Sequence, residues 1–101
     1  GHAMSAYILA QITIHDRAEY SRYEEGFLGV FRLFKGELLA VSENPTVDEG
    51  QWPCTRTVLI RFPSQEEAAR WYQSPEYQAI AQHRFRASTG NAVIVEGLTS
   101  S

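Results

Sequence analysis

The chain has one cysteine, Cys54, one methionine and four prolines in 101 residues. A lone thiol excludes an intrachain disulfide, and with it the cross-linked scaffolds of small secreted domains. No apolar run approaches the roughly 18 residues of a membrane span. No signal-peptide pattern opens the chain, so the cytoplasm is the expected compartment and no membrane partner is expected. Positive charge is scarce as well: nine Lys and Arg stand against twelve Asp and Glu, a net charge of −3 at pH 7. That balance argues against a nucleic-acid partner, which would favour a basic face. Metal-ligand spacing is missing too. His15, His83 and Cys54 are the usable soft ligands, and none lies one helical turn from another. Neither a metal site nor a cofactor is expected. The glycine loops that cradle phosphate and the Gly-x-Ser-x-Gly elbow are also absent.

What is present reads as one globular domain, with 44% hydrophobic and 21% charged residues. Residues 1–4 have the form of a cleaved tag remnant and 99–101 of a polar tail, leaving 5–98 as the domain. Residues 6–14 are rich in β-branched and large apolar side chains and predict a strand. Asp16 and Glu19 then form a capping box, followed by Tyr20, Tyr23, Phe27, Val30, Phe31 and Phe34 at helical spacing. Lys35-Gly36 is the stop signal. Gly26 and Gly29 weaken this helix, and close approach of another backbone is their expected reason. Residues 37–42 and 55–62 predict two more strands, separated by a polar connection with turn signals. Ser64-Gln65-Glu66-Glu67 opens a second helix to about Gln73. Ser74-Pro75 caps another helical stretch to about Ala87, and 91–96 form the last strand.

The order βαββαβ is the split-βαβ, ferredoxin-like arrangement, an α+β fold of four antiparallel strands with helices on one face. Such a sheet should alternate apolar and polar residues if its other face is wet. Tyr7-Ile8-Leu9, Val58-Leu59-Ile60 and Val93-Ile94-Val95 do not alternate. The helical segments can cover one face only. A second protomer is the economical cover for the other, so a homodimer is expected.

Two stretches, Trp52-Pro53-Cys54-Thr55-Arg56 and Trp71-Tyr72-Gln73-Ser74-Pro75-Glu76-Tyr77, are followed by Arg84 and a closing Val95-Glu96-Gly97. Together they resemble domain-of-unknown-function family 1330, within the dimeric α/β-barrel superfamily, from about residue 6 to 98. The resemblance implies a ferredoxin-like protomer and two sheets packed face to face. It implies no single reaction, because the superfamily includes monooxygenases without metal or flavin, haem-degrading enzymes, isomerases and dehalogenases. Many family members carry Arg-Gly-Gly just after the second strand. Here Val41-Ser42-Glu43 stands in its place, so an anionic ligand would need a different cation.

The candidate site residues form an aromatic and arginine set. Tyr23, Trp52, Arg56, Trp71 and Tyr77 are the candidate ligand-binding residues, with His15, Tyr20 and Arg84 as candidate catalytic groups. Arg84 lies two helical turns after Tyr77, on the same face. An arginine fork suits a carboxylate or enolate, and His15 at the strand–helix junction, or a tyrosine, would be the base. The competing reading has the rings filling the core and the arginines paired with Glu76, Glu96 or a second protomer. His83 is the one histidine placed for a haem-type ligand, and a surface role competes with that. The expected function is therefore binding of, or cofactor-independent catalysis on, a small acidic organic molecule in a pocket between helices and sheet. The alternative is a non-catalytic dimeric interaction module.

Overall fold

A computed structural model describes residues 4–98 of the chain, so the readings made for 1–3 and 99–101 fall outside the described residues. Strand β1 (Ala6–Ile14) leads into helix α1 (Arg17–Phe31), and β2 (Glu37–Ser42) and β3 (Arg56–Phe62) follow. Helices α2 (Gln65–Gln73) and α3 (Pro75–Ala87) then precede β4 (Ser88–Glu96). The strands form one antiparallel sheet in the order β2-β3-β1-β4. This is the ferredoxin-like α+β fold that the element order predicts. Among the described residues no helix is long and apolar enough to cross a membrane.

The caps explain where the helices start. The Asp16 carboxylate accepts the Glu19 N–H at 3.1 Å, and the Ser64 hydroxyl accepts that of Glu67 at 3.1 Å. Only half of each capping box forms. The Glu19 carboxylate turns to His83 and Arg86, and that of Glu67 to Arg70 and the Lys35 N–H. Ser74 is a hinge in one residue. Its hydroxyl donates to Trp71 O at 2.8 Å, closing α2, and accepts the Tyr77 N–H at 3.1 Å, opening α3.

Three features differ from the sequence expectation. Helix α1 ends at Phe31, and the chain tightens through Leu33 N–H to Val30 O and Phe34 N–H to Phe31 O, both at 3.0 Å. Gly36, beyond the helix end, is required by lack of space: a Cβ there would lie 2.5 Å from Phe31 Cζ and 2.7 Å from Phe62 Cε1. Strand β4 begins at Ser88, three residues early, because Ser88, Thr89 and Gly90 pair with Ile14, Thr13 and Ile12. The close neighbour of Gly26 is a side chain, with Ile80 Cγ2 2.8 Å from where a Cβ would stand, while Gly29 meets nothing within 4 Å.

Alternate residues of β1 separate the two faces of the sheet. Ala6, Ile8, Ala10 and Ile12 are buried beneath the helices with Ile60 and Phe62 of β3. Tyr7 and Leu9 face the other way, and register places them beside Val95, Val93 and Leu59 on the side with no helix. Val93 and Val95 are about half exposed there.

Candidate functional site

Helix α1 leans mainly on α3 rather than on the sheet. The Gly26–Ile80 contact draws the two helices together at one point. The Tyr23 and Tyr77 hydroxyls, 2.9 Å apart and buried, join them at another. What α1 leaves open above the sheet is a cavity of about 250 Å³. Its floor comes from Ile8, Ala10 and Ile12 of β1, Val58 and Ile60 of β3, and Leu38 and Val41 of β2. Its walls are mostly aromatic, with Tyr20, Tyr23 and Phe27 on α1 and Trp71, Tyr72 and Tyr77 across from them. Leu28, 61% exposed, stands at the opening.

Two guanidinium groups reach this cavity, and they differ in their partners. Arg56 comes from the first residue of β3, beside Ile12 of β1. Its Nη1 lies 3.1 Å from Glu43 Oε1 and its Nη2 3.3 Å from Glu24 Oε2. The group also sits 5.6 Å from the centre of the Tyr20 ring. Its Nε is buried and has no hydrogen-bond partner among the described residues. Arg84 is only 9% exposed, and no carboxylate pairs with it among the described residues. It lies 5.8 Å from the Tyr23 ring centre and 4.8 Å from that of Phe85. The Tyr77 and Tyr23 side chains offset its desolvation, so the group stays charged at the cavity wall with no carboxylate of its own among the described residues.

The tyrosines are donors here rather than bases. Burial raises the Tyr20 pKa above its usual range, and burial, reinforced by the Tyr77 hydroxyl, pushes that of Tyr23 well above it. Both stay protonated at neutral pH.

The structure thus gathers Tyr20, Tyr23, Arg56, Trp71, Tyr77 and Arg84 around one cavity. It does not bring His15 or Trp52 there. His15 is exposed, and its backbone N–H is fixed to Ala87 O at 2.9 Å where α3 meets β4. The Trp52 indole donates to Thr57 Oγ1 at 2.8 Å, and Thr57 alternates with the cavity-facing Arg56 and Val58. Trp52 therefore serves the connection before β3. Cys54 joins it there, with Sγ 3.4 Å from Thr57 Oγ1. His83 lies on the α1–α3 seam outside the cavity, with Nδ1 2.7 Å from Glu19 Oε2. The charged cavity residue that sequence reasoning missed is Glu24. Its signal was visible: a carboxylate four residues after Tyr20 and three before Phe27 interrupts the apolar stripe of α1.

The departure at Val41-Ser42-Glu43 also acquires a meaning. Val41 is apolar floor, and Glu43 holds Arg56 on one side and Arg17, at 2.9 Å, on the other. The two arginines hold the Glu43 carboxyl below its usual pKa, the Arg17 hydrogen bond most of all.

The model of the domain of unknown function DUF1330 matches residues 5–98. The chain belongs to the DUF1330 family. Solved structures share its fold at low sequence identity. A protein of unknown function from Rhodopseudomonas palustris superposes with a TM-score of 0.77 at 13% identity, over 98% of this chain and 86% of its own. SnoaB, a cofactor-independent oxygenase from Streptomyces nogalater, gives 0.67 at 15% identity over 97% of each chain. A dimeric ferredoxin-like protein of unknown function from Thermobifida fusca gives 0.65 at 10% identity, over 93% and 92%. No curated protein matches the chain by sequence. At such identities the likeness is one of fold, and the chemistry has to be argued from the cavity.

Proposed function

We propose that this DUF1330 protein is a cytoplasmic homodimer whose protomers, each folded from residues 5–98, bind a small organic anion with an apolar body. We further propose that it acts on that molecule without a cofactor. One observation carries the reading: the Arg84 guanidinium is buried and unpaired among the described residues, at the wall of a mostly apolar cavity. An arginine stays charged at any physiological pH, so the missing partner is an anion. A ligand carboxylate would supply it and accept the fork of N–H donors, while the rings of Tyr20, Tyr23 and Trp71 sheltered the rest of the molecule. SnoaB, named as a cofactor-independent oxygenase, is a precedent for catalysis on this fold.

Calorimetry with 2-naphthoate and its neutral counterpart 2-naphthamide tests the binding. Naphthoate is expected to bind about tenfold more tightly, a difference of about 1.4 kcal/mol. Arg84→Met is expected to erase that preference while leaving the fold intact, because it keeps an unbranched apolar stem against the same rings and breaks no ion pair among the described residues. Equal affinity for the two probes, or none for either, would overturn the reading.

The helix-free face favours a second role, in assembly. Tyr7, Leu9, Leu59, Val93 and Val95 form an apolar stripe that a second copy would cover. Light scattering is expected to return twice the 11.4 kDa protomer mass at micromolar concentration. A dimer that binds neither probe would leave the interaction module as the better account.

A further inference from the structure

A cavity that only bound an anion would have no use for a carboxylate of its own. Glu24 is the single acid among the described residues that line it, and it stands in the same wall as two arginines. Its Oε2 is 3.3 Å from Arg56 Nη2, and that guanidinium is held from behind by Glu43. The same Arg56 guanidinium lies 5.6 Å from the Tyr20 ring centre, and Arg84 lines the cavity with them. No histidine is among the described residues that line it, and Tyr20 and Tyr23 keep their protons because they are buried. That leaves the Glu24 carboxylate as the one base of its kind among the described lining residues.

We infer that Glu24 is the proton acceptor of this cavity, and that the substrate class is a monoanionic oxo acid with a ring-bearing apolar body and a C–H bond next to its carbonyl. The inference rests on the anion-binding reading above and deepens it. The single negative charge follows from the pairing: Arg56 is already met by Glu24 and Glu43, which leaves one uncompensated cation, Arg84. The carbonyl follows from the donors. A carboxylate facing an arginine and tyrosine hydroxyls is the set needed to break an acidified C–H bond, because the charge that develops on oxygen meets fixed donors.

In the step, the C–H bond beside the carbonyl breaks and its proton passes to a Glu24 carboxylate oxygen. The C–H electron pair becomes the new C=C bond, and the carbonyl π pair becomes a lone pair on the enolate oxygen. Arg84 stabilises that oxygen together with the substrate carboxylate. Return of the proton to oxygen gives the enol, and return to carbon restores the oxo acid. Nothing is oxidised or reduced.

Phenylpyruvate carries every named feature and serves as the probe. Its benzylic hydrogens are followed by proton NMR in deuterium oxide, and its affinity by calorimetry. The native protein is expected to speed deuterium exchange by about a hundredfold or more, the lower end of what a positioned base contributes. Glu24→Gln is expected to lose nearly all of that acceleration while its affinity stays within about threefold, and Glu24→Asp to keep part of it. The Glu24 side chain is 45% exposed, so neither change threatens folding. Binding without faster exchange, or unchanged exchange in Glu24→Gln, would overturn the inference and leave the anion site standing. Binding of 2-naphthoate but not of phenylpyruvate would overturn the substrate class alone. Failure of both probes would remove the anion site itself.

Discussion

The two ends of the layer between helices and sheet use the same aromatic residues to opposite effect. At one end Trp71 meets Phe31 at 5.8 Å and Phe62 at 5.5 Å, with Ala68 and Ala81 fully buried around them. There the rings close on one another, and the other side of Trp71 forms part of the cavity wall. At the other end four tyrosines join Phe27 and Trp71, their neighbours are Arg56, Arg84 and Glu24, and about 250 Å³ stays open. The tyrosine rings pack as closely as those of the other end and two of their hydroxyls satisfy each other at 2.9 Å, so the open space is the part lined by the charged groups. A packed core and a binding site can therefore share one layer, and the polar atoms decide which is which.

Trp71→Ala would break the packed end. The side chain is 2% exposed, and the expected loss is about 3–5 kcal/mol, read as a lower urea midpoint. A loss below about 1 kcal/mol would mean that the two ends are not distinct. Tyr23→Phe sharpens the contrast at the open end. It deletes the 2.9 Å hydroxyl contact with Tyr77 at an expected cost of about 1 kcal/mol. It should also change the alkaline limb. The folded-state pKa of Tyr23 is raised by burial first, so its contribution is complete below the ordinary value of 10.0 and is lost as pH rises towards the folded value. Thermal melts above pH 10 are expected to fall less steeply in Tyr23→Phe than in the native protein. The smallest effect belongs to Glu19→Gln, on the α1–α3 seam outside both ends. The hydrogen bond from His83, then that from Arg86, lowers the Glu19 pKa below 4.5. Its stabilisation is present above that value and fades as pH drops through the folded pKa. The variant should melt slightly lower at pH 7, and the gap should close as pH falls, which makes its acid limb shallower.

The elements were legible because their signals are local. Asp16, Ser64 and Ser74 cap as their types dictate, and the alternation in β1 follows from the two-residue period of a strand. The errors came where a distant partner outbid a near one. The Glu19 carboxylate, read as closing its own capping box, engages His83 and Arg86, 64 and 67 residues away. Sequence spacing assembled most of the cavity from the aromatic–arginine pattern, but it could not exclude His15 and Trp52. Neither position reveals from the sequence which way a junction or a loop turns its side chain.

Taken alone, the sequence determined the strand and helix order, the ferredoxin-like class and the two apolar faces, because caps, turns and periodicity act over one to four residues. Tertiary structure decided that Tyr23 meets Tyr77, that Gly26 admits Ile80, and that among the described residues Arg84 has no acid while Arg56 has two. Those outcomes depend on where α1 settles against α3. That placement is fixed by the packing of side chains more than fifty residues apart, which no local pattern encodes.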